Sequence, residues 1–312
     1  MSNVIQGEQP ADLEQMLGMH HLDRSHKLTG LIESVLASRG VNRVVKSRSY
    51  YWDAEFYGLH NVDLFNELTQ SRKESVLSEL SHGLLREACF IERFGFEYTS
   101  RLMLSSDTIE EKSTFALMAS DEARHLNGLL PFLERDLGNT YTEEPLVMML
   151  ADVLTSDDRQ ALIFLLQAVL EGYGLFHYSH LMHGSNDTAF AAALGKILKD
   201  EGFHHASGVA LLDESRMTAS TKRFLHDVIA QLTAIIQQNS GPLTVLEREL
   251  GHLSAAQRQT VLDQLHYDHR MAARMEKTRG LICEHAPADL VQSLDENDMF
   301  KPMTSSQLVA LL

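Results

Sequence analysis

Two five-residue segments of the sequence combine residue types that bind metals. Residues 121–125 and residues 200–204 both read Asp-Glu-x-x-His. Residues three apart on an α-helix share a face, so the Glu and the His of each segment can reach the same metal. A dinuclear site in a helical bundle adds one Glu from each of two further helices. Glu92 and Glu171 occupy suitable positions near the middle of two other predicted helices.

The spacing of these residues repeats along the chain. The lone Glu precedes the Glu of the following pair by 30 residues in both halves, and a shift of 79 residues superposes the two sets. The same shift aligns Gly95 with Gly174 and Asp121 with Asp200. The pattern predicts one helical hairpin used twice, with the metals on a pseudo-twofold axis. The predicted ligands are Glu92, Glu122, His125, Glu171, Glu201 and His204.

Other matches to the same short pattern fit less well, and a single Glu-x-x-His has a high false-positive risk. Glu79 and His82 lie 13 residues before Glu92, which is roughly 20 Å along the helix. The pair at positions 249 and 252 spans Gly251, where we expect a helix to end. Glu87 competes with Glu92, but it projects from another side of the helix and its repeat counterpart is Leu166. We therefore prefer Glu92.

The two aspartates suggest how the imidazoles are oriented. Asp121 and Asp200 could each accept the free imidazole N–H of the histidine in the opposite hairpin and so fix its tautomer. Their alternative role is helix-surface decoration. Four glutamates would balance two divalent ions in a core that can be buried. Carboxylates with imidazoles suit Fe(II) or Mn(II) better than soft metals.

The elements that must position these residues are helical, and the fold class is all-α. We predict long helices at about 72–104, 107–136, 157–183 and 187–215. The first opens with a Ser71–Glu74 capping box, the second with Asp107 and Glu110, and Gly138 and Asn139 end the second. Residues 137–156 form the long crossover, with a short helix at 146–154.

The predicted helices divide the chain into three regions. Residues 1–70 are a helical lead-in that covers the bundle, residues 71–216 the dimetal four-helix bundle, and residues 217–312 a helical extension packed on it. In the lead-in, the aromatic residues expected to cover the bundle are Trp52, Phe56, Tyr57 and Phe65. In the extension we predict helices at about 219–238, 243–250 and 254–279, followed by a polar tail.

Composition limits the classes of function. The net charge of −16 argues against nucleic-acid binding, because phosphate contacts need Lys and Arg. Two cysteines and the lack of a recognisable signal peptide favour a reducing, cytoplasmic setting. The most apolar stretch, 161–170, is too short to span a bilayer. We expect no membrane span.

The two Asp-Glu-x-x-His segments, each with a Glu 30 residues earlier, resemble the ferritin-like di-iron oxidase and oxygenase superfamily over about 72–215. The resemblance implies a ferritin-like four-helix bundle with a long crossover and two iron ions, with Fe/Mn as a variant. It implies that the six residues named above are the ligands. It also implies that the centre takes electrons from a ferredoxin or reductase, reduces O2 and oxidises a bound substrate.

This chain departs from the residue patterns of several subfamilies of that superfamily, and these departures argue against the functions of those subfamilies. Ribonucleotide reductase small subunits usually have Asp and a radical Tyr where this chain has Glu92 and Leu129. Amine N-oxygenases can carry an extra His at the position of Ile197, and multicomponent hydroxylases often have Thr at that of Leu175. The Cys-x-x-Cys site of rubrerythrins is absent from the sequence.

We therefore expect an O2-activating oxidase or monooxygenase for a small or acyl-type organic substrate. Some apolar residues near the ligands could line its pocket, although ordinary core packing is the favoured interpretation for any one of them: Phe96, Phe115, Met118, Leu129 and Phe164. An iron-handling ferroxidase or storage protein is the alternative from another class. An amine N-oxygenase and a haem-oxygenase-like di-iron fold are weaker alternatives. The helices that flank the bundle suit a substrate cover or a homodimer surface better than a storage cage.

Overall fold

The computed structural model describes residues 22, 25–41, 49–133 and 145–312. Within those ranges the chain is all-α and contains no strand. The helices are α1 (Lys27–Ser38), α2 (Ala54–Tyr57), α3 (Asp63–Asn66), α4 (Gln70–Leu104), α5 (Ile109–Leu129), α6 (Pro145–Leu154), α7 (Arg159–Gly184), α8 (Thr188–Leu211), α9 (Ala219–Gln238), α10 (Gly241–Leu250), α11 (Ala255–Gln264), α12 (Tyr267–His285), α13 (Ala288–Glu296) and α14 (Ser305–Leu311).

The four long helices α4, α5, α7 and α8 carry the predicted ligands. Helix α4 packs along α5, helix α7 packs along α8, and α5 also contacts α8. Helix α6, the predicted short helix of the crossover, packs against α4 and α9. Two hairpins therefore meet through α5 and α8, and α4 and α7 are spaced more widely.

The helix starts differ in detail from the predicted caps. Helix α4 begins at Gln70 after Thr69, which makes no side-chain cap bond, so the predicted Ser71–Glu74 capping box is wrong. The side chain of Thr108, rather than that of Asp107, caps α5 by accepting the N–H of Glu111.

Helix α5 ends earlier than predicted. It stops at Leu129 and continues as a 3-10 turn, Leu130–Phe132, after which Leu133 is extended. Pro131 explains this end, because it has no N–H to donate to a carbonyl of the preceding turn of the helix. The predicted end at Gly138 and Asn139 lies outside the described residues.

Helix α7 contains a π-helical stretch, Ile163–Leu170, directly before Glu171. Within this stretch the backbone of Gln167 lies against Gly208 of α8, where an added Cβ would come within 2.2 Å of the Gln167 Cβ. The glycine thus lets the two helices approach closely.

Helix α7 is long and apolar enough to cross a membrane, but 67% of its apolar window is buried inside the protein. That burial is characteristic of a core helix.

The lead-in attaches to the long helices through buried aromatic residues. Trp52, Tyr57 and Phe65 are buried, whereas Phe56 is only partly buried. The indole N–H of Trp52 donates to the carbonyl of Leu181 on α7 at 2.8 Å. This segment therefore covers the end of the α7–α8 hairpin.

The C-terminal region is more segmented than predicted. The single helix expected at 254–279 is two helices, α11 and α12, because His266 between them adopts a left-handed conformation with φ of 53°. The predicted polar tail is wrong as well. Residues 288–311 contain α13 and α14, which bury Leu290, Leu294 and Leu308. Contacts of α10 with α4 and of α12 with α7 join this region to the long helices.

Candidate metal centre

The four long helices bring all six predicted ligands together in the interior. Glu92 comes from α4 and Glu171 from α7, while α5 and α8 each supply one Glu-x-x-His pair. Each of the six side chains belongs to a residue that is at most 7% exposed. Such burial of carboxylates without a compensating charge is costly.

The six residues form two clusters. Glu92, His125 and Glu201 make up one, and Glu122, Glu171 and His204 make up the other; within each, the candidate ligand atoms lie within 4.8 Å of one another. The 79-residue shift carries Glu92 onto Glu171 and His125 onto His204, and it relates Glu122 to Glu201. The repeat therefore converts one cluster into the other.

Two of the glutamates lie between the histidines. Nδ1 of His125 is 3.6 Å from Glu122 Oε2 and 3.9 Å from Glu201 Oε1. Nδ1 of His204 is 3.2 Å from Glu122 Oε1 and 3.5 Å from Glu201 Oε2. Each of these carboxylates thus turns one oxygen towards each imidazole. They occupy positions from which a carboxylate can bridge two ions.

The other two glutamates are terminal. Glu92 Oε2 is 3.1 Å from His125 Nδ1, and Glu171 Oε2 is 3.7 Å from His204 Nδ1. The rings of His125 and His204 have centroids 5.9 Å apart. The centre therefore has two ends, each with one imidazole and one terminal carboxylate.

The crowding of charges perturbs the pKa values of the side chains. Burial raises the pKa of Glu92 to about 7, against the lowering effect of His125. Burial and the neighbouring Glu171 raise the pKa of Glu201 well above its usual range. Burial opposes charging of the imidazoles, yet the surrounding carboxylates raise the pKa values of His125 and His204. Both kinds of shift follow from the burial of four carboxylates beside two imidazoles.

Some buried polar atoms at the centre lack a hydrogen-bond partner. They include Glu201 Oε2 and Nδ1 of His204, both of which face the clusters. Buried polar atoms are rarely left unsatisfied, and a bound ion is one explanation for such groups. Four carboxylates and two imidazoles in two clusters are a donor set that fits two hard or borderline divalent cations. The residues present could therefore hold metal ions.

The aspartates that precede the two pairs lie on the outer side of the histidines, each in the opposite hairpin. Asp200 Oδ2 is 3.2 Å from His125 Nε2, and Asp121 Oδ2 is 3.5 Å from His204 Nε2. Both imidazoles therefore turn Nδ1 to the clusters and Nε2 to an aspartate. This is the crossed arrangement expected from the sequence.

Arg124 connects the two aspartates, a role that the sequence analysis missed. Its Nη2 donates to Asp121 and, at 3.1 Å, to Asp200 Oδ2. The repeat counterpart of Arg124 is Phe203, which is 43% exposed. A single guanidinium on the pseudo-twofold axis serves both halves, so the repeat offered no signal for it.

Two buried tyrosines were also missed. The Tyr98 hydroxyl on α4 donates to Glu171 on α7, and the Tyr178 hydroxyl on α7 donates to Glu92 on α4. Each tyrosine follows the lone Glu of its own helix, by six residues in α4 and by seven in α7. A tyrosine about two turns after each lone Glu was the available signal. The unequal spacing hid it from the 79-residue alignment.

The paired glycines of the repeat have a packing role. An added Cβ at Gly95 would lie 2.7 Å from Glu122 Cδ, and one at Gly174 would lie 3.8 Å from Glu201 Cδ. Gly95 therefore makes room for a candidate bridging carboxylate. Gly174 faces the equivalent carboxylate at ordinary contact distance.

A cavity of about 50 Å3 borders the clusters between α4 and α7. Its walls include Ile91, Phe94, Leu146, Leu170 and Tyr173. None of the five apolar residues predicted to form a pocket lines it. Phe96 is 37% exposed, and the other four, Phe115, Met118, Leu129 and Phe164, are core residues with no exposed surface. Ordinary core packing, the interpretation favoured from the sequence for any one of these residues, is therefore confirmed for four of them. A pocket role for the five residues is not confirmed, because nearness to a ligand along a helix does not place a side chain on the face that α4 and α7 turn to each other.

The competing sequence matches lie outside both clusters. Glu79 pairs with Arg248 at 2.7 Å, and Glu249 pairs with Arg72 at 2.6 Å. Glu87 lines the cavity but belongs to neither cluster.

Comparisons with protein-family models, with curated proteins and with solved structures find no significant match to this chain.

Proposed function

We propose that this chain is a ferritin-like four-helix bundle with a dinuclear iron centre, and that it is an O2-activating oxidase or monooxygenase for a small organic substrate. The observation that carries the proposal is the pair of buried clusters that the 79-residue repeat interchanges. Bundle proteins with a dinuclear carboxylate centre build it from this set of two Glu and two Glu-x-x-His pairs.

The ligand set supports iron or an Fe/Mn pair. Glu122 and Glu201, which face both imidazoles, would hold two ions together with the pairs Glu92–His125 and Glu171–His204. Four carboxylate charges balance two divalent cations, which makes the buried centre close to neutral. Two bound iron ions would supply the redox chemistry by which O2 is reduced, with electrons from an external ferredoxin or reductase, and the substrate is oxidised.

The surrounding residues have distinct positioning roles. Asp121 and Asp200 hold the imidazoles in the tautomer that leaves Nδ1 free for a metal. Tyr98 and Tyr178 each donate to one oxygen of a terminal glutamate, and the other oxygen of that glutamate faces an imidazole Nδ1. The apolar cavity walls would limit the access of water to the centre.

The cavity favours an enzyme over an iron-storage protein. A substrate site must open onto the metal ligands, and all four candidate ligand glutamates line this cavity. A ferroxidase that loads iron into a store is the competing function. An amine N-oxygenase with a seventh, histidine ligand has less support, because a buried isoleucine, Ile197, stands at that position. We further propose that the protein is cytoplasmic, that it could form a homodimer and that it binds no nucleic acid.

The experiment is anaerobic loading with Fe(II), reduction, and exposure to O2 under stopped-flow absorption and Mössbauer spectroscopy. We expect spectroscopically coupled irons, and O2 consumption that rises when small organic compounds are added. Size-exclusion chromatography with light scattering runs in parallel. A large hollow assembly that takes up iron far beyond its ligand sites would contradict the oxidase and support storage.

A further inference from the structure

Helix α12 carries three basic residues along one side. Arg270, Arg274 and Lys277 stand at positions i, i+4 and i+7 of this helix, so their side chains project in the same direction. All three are exposed, and none has an acidic partner among the residues that the structure describes. The row therefore concentrates positive charge on a chain whose net charge is −16.

The acidic residues of α12 do not neutralise this row. Asp268 and Glu276 project from other sides of the helix, and Asp268 accepts the backbone N–H of Ser305 at 2.6 Å. Glu284 shares the side of the basic residues, but it follows Lys277 by two helical turns, which is roughly 10 Å along the axis. The positive charge of the row thus faces solvent.

Aromatic residues of α7 and α2 border the row. Nζ of Lys277 lies 3.6 Å from the ring centroid of Phe176 on α7, and Phe176 is 46% exposed. His180, one turn after Phe176, stacks on Phe56 of α2 with ring centroids 4.7 Å apart. We call the three basic residues of α12, together with Phe176 and His180, the basic face.

A groove of about 310 Å3 continues the basic face. Arg270 belongs to both, and its Nη1 donates to a backbone carbonyl of α2 at 2.9 Å, which leaves its charge unbalanced. Three histidines, His60, His266 and His269, line the groove with one acidic residue, Glu55. The volume lies at the lower end of the range of small-molecule sites, so the groove can accept a side chain of another molecule.

The basic face adjoins the wall of the cavity at the metal centre. His177, the residue after Phe176, lines that cavity and contacts Tyr178 edge to face, with ring centroids 5.8 Å apart. The Tyr178 hydroxyl donates to the candidate ligand Glu92. Three consecutive residues of α7 thus connect the exposed face with the cluster that contains Glu92.

We propose that the basic face docks an acidic electron-carrier protein, a small protein with an iron–sulfur cluster, and that electrons enter the centre from this side. The inference rests on the proposed function, since it names the partner of that centre. One electron leaves the reduced cluster of the partner and reaches the bound metal ions, so the partner is oxidised as they are reduced. A single small anion fits less well, because Arg270 and Lys277 are roughly 10 Å apart along the helix.

Charge complementarity favours an acidic protein at this place. The net charge of −16 repels an acidic partner from the rest of the surface, whereas the basic face attracts it. Such complementarity raises the association rate and determines the orientation of the partner. The exposed ring of Phe176 adds an apolar contact beside the arginines, and aromatic residues and arginine are both enriched at interfaces.

The variants for the test change the charge of the basic face and leave the candidate metal ligands intact. Arg274→Gln with Lys277→Gln removes two positive charges, and Arg274→Glu with Lys277→Glu reverses them. Lys112→Gln with Arg223→Gln is the matched control, because it removes two positive charges from exposed residues of α5 and α9. Substitutions of exposed side chains are usually tolerated, and circular dichroism checks the fold.

The probe is an acidic plant-type ferredoxin, added to the full chain without metal and, separately, to the chain loaded with Zn(II). Calorimetry at low and at high salt measures the affinity. Wild type and control should bind equally well, and more weakly at high salt. The two Gln substitutions on α12 should weaken binding by about tenfold, and charge reversal should abolish it. Carbodiimide, which couples an amine to a carboxylate, should link Lys277 of the wild type to the ferredoxin, as mass spectrometry can show.

A ferredoxin that does not bind the wild type, or that binds both basic-face variants as tightly as the control, would overturn the inference. Tighter binding of a single-stranded oligonucleotide to the same face would overturn it in favour of nucleic acid. Metal content is measured on the same samples, so the two proposals can fail separately. Docking by a chain that holds no metal would leave the docking surface standing and remove the di-iron oxidase. Full metal loading without docking would do the reverse.

Discussion

The carboxylate of Asp200 lies 3.2 Å from Nε2 of His125, although the two residues belong to different hairpins. The reciprocal pair, Asp121 and His204, has the corresponding atoms 3.5 Å apart. Each hairpin thus orients the imidazole of the other. Metal affinity and the packing of the two halves should consequently be linked.

Asp200→Asn should weaken metal binding without removing a ligand. An asparagine can present an N–H where the imidazole N–H needs an acceptor, so the ring loses its fixed tautomer. Losses of such partners typically reduce metal affinity by about 10- to 100-fold. Competition with a chromophoric chelator measures the change. Asp227→Asn on α9, whose side chain is 80% exposed, is the control. Equal affinities for wild type and Asp200→Asn would show that the aspartate is only surface decoration.

Arg124→Met should destabilise the metal-free protein by about 1–2 kcal/mol, because hydrogen bonds to charged groups are lost and two aspartates are left facing each other. The guanidinium is partly exposed, which keeps the expected loss at that modest size. Urea unfolding followed by circular dichroism measures it. Arg216→Met, at a side chain that is 71% exposed, should change the free energy of unfolding by less than about 0.5 kcal/mol. An equal effect of the two substitutions would contradict a linking role for Arg124.

The paired glycines should respond differently to the same substitution. Gly95→Ala puts a methyl group 2.7 Å from Glu122 Cδ and must displace that carboxylate, so we expect metal affinity to fall by at least about tenfold. Gly174→Ala leaves 3.8 Å to Glu201 and should retain metal. It should also stabilise the fold by about 0.5–1 kcal/mol, because glycine is unfavourable inside a helix. Isothermal titration with Mn(II) compares them, and equal affinities would mean that Gly95 has no role in placing Glu122.

His177 should make stability depend on pH. Burial lowers its pKa from 6.5 to about 4, with further lowering by His180, Arg274 and Lys277. Between those pH values the unfolded chain binds the proton and the folded chain does not, so the contribution of His177 is complete above pH 6.5 and is lost as pH falls towards 4. In metal-free protein, His177→Gln should therefore reduce the slope of the free energy of unfolding against pH in this window. Parallel curves for the two proteins would show that His177 titrates normally.

The residues that the repeat duplicates could be predicted from the sequence, because helical spacing and a common 79-residue shift together determine which side chains meet. The role of Arg124 could not be predicted, since this single residue donates to the aspartates of both hairpins and has no equivalent in the repeat. Tyr98 and Tyr178 were not predicted, because their spacings from the lone glutamates differ by one residue and the 79-residue shift therefore does not align them. The break between α11 and α12 at His266 could not be predicted, because no glycine or proline stands there and a positive φ is uncommon for residues other than glycine.

The cavity depends on tertiary structure in a way that the sequence does not reveal. Whether an apolar residue near a ligand lines a pocket, fills the core or is exposed depends on which face of its helix is turned towards the neighbouring helix. Phe94 and Phe96 illustrate this, because they lie two residues apart, yet Phe94 lines the cavity and Phe96 is exposed.

The most direct test of the central claim is the number of metal ions that the chain binds. Protein reconstituted with Fe(II) without oxygen and then desalted should contain about two irons per chain, as a dinuclear bundle centre requires. Glu122→Ala combined with Glu201→Ala removes both candidate bridges and should reduce the content to below about one per chain. Circular dichroism checks that the variant is folded. A wild-type content below about one ion per chain that the double substitution leaves unchanged would contradict the metal centre.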